Sequence, residues 1–131
     1  MPTPNIVNVT QIEGKTAALI PAVTTAVHWS ALTPSVTTPP KIHKVGTITA
    51  SNVTNAAATI TVAVHNAATP TGTANRIVHQ ISVPANSTLV IVDKTTPIYI
   101  DEGQSIAVTV GTASALELVA SYEVITGTAA A

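Results

Sequence analysis

Histidine is the first side chain to weigh for chemistry, because its charge changes near neutral pH. The chain has four: His28, His43, His65 and His79. Catalysis needs one of them beside a nucleophile and an orienting acid. A metal needs a convergent set, and no two of these lie within a few residues of each other. His43 and His65 would meet only across neighbouring strands, with a metal on the axis of a trimer. The favoured reading is four ordinary polar-face or interface histidines. Cysteine is absent, which removes disulfides, thiolate nucleophiles and Cys-based zinc sites together. No catalytic residue, cofactor or metal is expected.

Carboxylates come next. Asp101 and Glu102 are adjacent, and Asp93 stands on the preceding turn. Hard cations take such ligands from loops, but acidic residues before Gly103 are better read as a tight turn between two strands. A glycosidase cleft pairs two carboxylates and is lined by aromatics. Trp29, Tyr99 and Tyr122 are the only aromatic residues other than histidine, so neither that cleft nor a sugar-stacking platform is expected. Three N-x-S/T triplets begin at Asn8, Asn52 and Asn86. A Thr-rich chain produces such triplets by chance.

The elements that must position these residues are strands. A chain of 131 residues is one domain's worth. Charged residues are 8% of it, against about a quarter in ordinary soluble proteins. Five Lys and Arg residues and a net charge of -1 leave no basic patch for phosphate contacts, so nucleic acid is excluded as a partner. The apolar stretch from Thr16 to Trp29 is broken by Pro21, Thr24, Thr25 and His28, so no membrane span is expected. Residues 1–14 carry no basic residue, and a cytosolic product made without a leader is predicted.

The chain divides at Pro39-Pro40. Residues 1–40 hold Pro2, Pro4, Pro21, Pro34, Pro39 and Pro40 and are read as an N-terminal arm. Pro lacks an N–H and suits arms and edges. Within the arm, Ala17 to Val27 is a candidate strand. Residues 41–131 are read as the folded domain, because apolar residues alternate there with small polar ones. Strands are predicted over 41–51, 58–65, 76–83, 87–92, 97–100, 105–110 and 116–125. Ile42, Ile48 and Ala50 are expected to share one face, and so are Ile77, His79, Ile81 and Val83. Gly46 reads as a bulge. The predicted fold is all-β: an antiparallel sandwich, jelly-roll-like or Ig-like, with the Pro-rich arm attached.

Two runs carry a resemblance. The run from Ser82 to Val108, SVPANSTLVIVDKTTPIYIDEGQSIAV, and that from Leu116 to Ile125, LELVASYEVI, are similar to small virion proteins of tailed bacteriophages, cyanophages among them. The resemblance covers roughly residues 41–125, with the hairpin KVGTITASNVTNAAATITVAV from Lys44 to Val64. It implies a non-enzymatic structural protein, most simply a decoration or cement protein on the capsid exterior. The partners implied are the major capsid protein and further copies of this chain, as a trimer. The chain would be made in the host cytoplasm and end in the virion. The alternative is a tail or neck component, including an adhesin-like carbohydrate-binding module. Docking is expected through the arm at His28, Trp29 and Leu32, because Trp is enriched among binding hot spots.

Overall fold

Val, Ile and Thr pack well on a pleated surface because their branched Cβ atoms stand clear of the backbone. These residues dominate nine strands in the computed structural model, which describes residues 4–36 and 39–129, with side chains over 9–36 and 39–127. The strands are β1 (Pro4–Leu19), β2 (Val27–His28), β3 (Lys41–Asn52), β4 (Ala58–His65), β5 (Ala74–Val83), β6 (Thr88–Val92), β7 (Ile98–Ile100), β8 (Ser105–Val110) and β9 (Leu116–Ala129). A 3-10 turn over Ser30–Leu32 is the only helical element among the described residues.

All pairings are antiparallel, and they form two sheets. The first runs β1-β9-β3-β6, with β7 also on β3, and the second runs β2-β8-β4-β5. Because β9 occupies one edge of β3 along its length, β6 and β7 share the other edge. They are one strand interrupted by the turn at Asp93. Counted so, the described residues form eight strands in the order 1-8-3-6 over 2-7-4-5. That order is a jelly roll, which decides between the two sandwich types expected from the sequence.

The core lies between the sheets. Val45, Ile48, Leu116, Leu118 and Ala120 fill it from the first sheet, and Ile60, Val62, Ile106 and Val108 from the second. Trp29 and Leu32 complete it at 2% and 0% exposure. The expected arm is therefore corrected: over its described residues it belongs to the sandwich. β1 pairs with β9 from Gln11↔Thr126 to Leu19↔Leu118, and β2 pairs with β8. The prolines punctuate elements. Pro4 opens β1, Pro21 follows its end, Pro34 follows the 3-10 turn and Pro40 precedes β3. A missing N–H is tolerated at each such boundary.

Bulges in β3 and β5 reset which side chains face inward. At Gly46 the β3–β9 register shifts between Val45 and Thr47, as expected. A bulge inserts one unpaired residue and reverses the alternation. Residues 41, 43 and 45 thus face the same way as 48 and 50, and the expected grouping of Ile42 with Ile48 and Ala50 fails. In β5 the register against β4 shifts twice. Gln80 there has φ 48, and its N–H donates to Thr61 Oγ1 at 2.9 Å. The expected common face of Ile77, His79, Ile81 and Val83 is broken accordingly: Val83 is buried, Ile77 half-buried and His79 exposed.

Candidate functional site

The first sheet brings charged side chains to its inner face at one end of the sandwich. Lys15 on β1 pairs with Tyr122 on β9, and Tyr122 pairs with Val45 on β3. Directly paired residues share a face. His43 and Lys41 precede Val45 at spacings of two, so they point the same way. β2 is only two residues long, and beyond it the second wall is the segment from Ser30 to Ser35. Between the walls lies a cleft of about 350 Å³, lined by Lys15, Lys41, His43, Tyr122, Val124 and the Ser30, Ala31, Thr33 and Ser35 side.

His43 is fixed in place. Its Nδ1–H donates to the Leu32 carbonyl at 2.8 Å, and its ring lies 4.9 Å from that of Tyr122 at 40°. A neutral ring so bonded carries its lone pair on Nε2. Burial lowers its pKa below the ordinary histidine value of 6.5. The Leu32 carbonyl works against that shift, and the charges of Lys15 and Lys41 add to it. The Nδ1 partner is a main-chain carbonyl, which orients the ring but lacks the negative charge of the carboxylate in a Ser-His-Asp triad. Two lysines, a histidine and several hydroxyl-bearing residues line the cleft, and among the described residues no carboxylate-bearing one does.

The other predicted residues are dispersed. Trp29 and Leu32 are core side chains, so the expected docking trio of His28, Trp29 and Leu32 is overturned: two of its members cannot reach a partner. Half-buried His28 has Nε2 3.1 Å from Thr33 Oγ1. His43 lies in the first sheet and His65 in the second, where its Nδ1 is 3.2 Å from the Thr71 carbonyl. They are not on neighbouring strands. Among the described residues no three His, Asp or Glu side chains converge on a metal position.

The acidic residues form turns. Asp101 Oδ1 accepts from the Gly103 N–H at 2.8 Å, and the Asp101 carbonyl accepts from Gln104 N–H at 3.1 Å. Asp93 Oδ1 accepts from the Thr95 N–H at 2.9 Å. The Thr95 hydroxyl, then its N–H, hold the Asp93 carboxyl below its ordinary value of 3.8. Glu102 was not singled out from Asp101 by the sequence, yet it is fully buried and its Oε1 accepts from the Lys41 N–H at 3.4 Å.

The outer face of the first sheet has a different character. One row across it reads Ala18, Val119, Thr49 and Val90, and the next reads Thr16, Ser121 and Thr47. Val119 and Val90 are 43% and 56% exposed. A further row holds Gly14, Glu123, Lys44 and Tyr99, with Lys44 Nζ 4.0 Å from Glu123 Oε1. Neither a protein-family model nor a curated protein sequence matches this chain.

Proposed function

We propose that this chain is a non-enzymatic virion structural protein, a decoration or cement protein that binds the capsid exterior through the major capsid protein and assembles as a homotrimer. The observation that carries this reading is the outer face of the first sheet, four strands wide, where small Ala, Thr, Ser, Gly and Val side chains predominate beside Ile12, Tyr99, Glu117 and the weak Lys44–Glu123 pair. Short side chains lose little rotamer entropy on association, and few charges need desolvation. Interface cores are depleted in charge in the same way. The resemblance of residues 41–125 to small phage virion proteins supports the same role. So does the jelly roll, which recurs in viral capsid proteins, although a fold by itself does not give a function.

The docking surface in this reading is the sheet face rather than an arm. The test is quantitative mass spectrometry of purified particles, with Val119→Glu and Val90→Glu variants added back to particles lacking the protein. A copy number that follows the capsid lattice, and folded variants that no longer bind, are the expected results. A handful of copies per particle favours the tail or neck alternative, with its adhesin-like role.

A further inference from the structure

We propose that the cleft between Lys15, Lys41 and His43 binds a small oxyanion, a carboxylate or phosphate group. The inference is independent of the capsid role. The whole chain has five Lys and Arg residues, and two of them line this cleft from different strands. Solvated lysines usually point away from a core; these stand on the inner face of the sheet, Lys15 paired with Tyr122 and Lys41 with Thr126. Among the described residues neither forms an ion pair. Lys15 is exposed and Lys41 half-buried; like charges that line one cleft repel, and a bound anion offsets that repulsion.

The surroundings suit that class of ligand. Ser30, Thr33 and Ser35 line the cleft with the lysines, and charge-assisted hydrogen bonds to oxyanions are the strong ones. A volume of about 350 Å³ is enough to hold a phosphate or a small organic acid. Both lysines lower the proton affinity of His43, so their fields overlap where the anion would sit. The titratable groups around His43 in the cleft are Lys15 from β1, Lys41 from β3 and Tyr122 from β9. Glu13 shares the inner face of β1, and Glu102 contacts the Lys41 N–H. Neither carboxylate lines the cleft.

The experiment titrates the full chain with inorganic phosphate and, separately, with citrate, following the His43 ring by NMR at constant ionic strength set with chloride. Saturable shifts are expected, together with a rise in the His43 pKa beyond that in chloride, because an anion favours the imidazolium. Saturation by phosphate alone or by citrate alone identifies which source of the oxyanion the cleft takes. Lys15→Gln and Lys41→Gln should each weaken binding about tenfold or more, with folding checked by the dispersion of the amide spectrum. The wild-type pKa shift needs no variant and stands if either one misfolds. Absence of saturation with both anions, an equal response to chloride, or undiminished binding in the folded double variant overturns the proposal.

Discussion

His43 Nδ1 lies 2.8 Å from the carbonyl oxygen of Leu32. This bond ties β3 to the segment that carries two core residues, Trp29 and Leu32, and it holds the imidazole at the wall of the cleft. The ring is nearly buried at 7% exposure, so its neutral form is the one that the fold favours.

A pH dependence follows from that preference. Burial lowers the folded-state pKa of His43 below 6.5, with Lys15 and Lys41 acting in the same direction. The unfolded chain therefore binds this proton first as pH falls, and stability rises with pH over that range. The His43 contribution is fully present above the unfolded value and is lost as pH falls from there through the folded value. Denaturant unfolding between about pH 7.5 and pH 5, in a buffer free of phosphate and carboxylate, should show stability falling with acid. His43→Gln should flatten that slope; an unchanged slope would assign it to other groups.

Trp29 is 2% exposed and belongs to the chain's own core. Trp29→Ala should cost about 3–5 kcal/mol. A chain beginning at Lys41 lacks β1, β2, Trp29 and Leu32, and it should fail to fold. Circular dichroism melts measure both. A cooperative melt from the shortened chain would restore the arm as a separate element.

The strands were legible where alternation ran unbroken. β4 and β8 have the bounds expected from the sequence, because Ile60 and Val62, or Ile106 and Val108, recur at spacings of two between turn residues. β1 was not legible along its length. It is an edge strand whose inner face carries Glu13 and Lys15 and whose outer face carries Ile12, the reverse of the usual pattern. The cleft was hidden by the bulge at Gly46. Unbroken alternation from Ile48 and Ala50 sends Lys41 and His43 outward, and the bulge turns them in. Lys15 joins them only through the pairing of β1 with β9, which no local pattern encodes.

Asn52 is 3% exposed and saturated with hydrogen bonds. Its Nδ2 donates to the carbonyls of Ala56 at 2.8 Å and Val83 at 2.9 Å, and its Oδ1 accepts from the Thr54 N–H at 2.9 Å and hydroxyl at 2.7 Å. Asn52→Ala leaves these groups without partners at a cost of about 3 kcal/mol. Asn52→Asp should also destabilise, because a carboxylate accepts from Thr54 but has nothing to donate to two carbonyls. Urea midpoints measure both. A loss below about 0.5 kcal/mol for the alanine variant would mean that water replaces the side chain.

Gly111 closes against Thr59. Its N–H donates to the Thr59 carbonyl at 3.0 Å, and a Cβ at position 111 would run into Thr59 Oγ1. The constraint is space rather than backbone conformation, since Gly72 is the glycine with positive φ among those described. Gly111→Ala should therefore cost about 1–2 kcal/mol through overpacking. Thr59 is exposed, so Thr59→Ala should be mild by itself and should remove the obstacle. In the Thr59→Ala background the Gly111→Ala cost should fall to a few tenths of a kcal/mol, giving a coupling of about 1 kcal/mol. A double-mutant cycle by urea unfolding measures this coupling. If the cost of Gly111→Ala is unchanged when Thr59 is alanine, the glycine serves the backbone of the turn after β8 rather than the contact with β4.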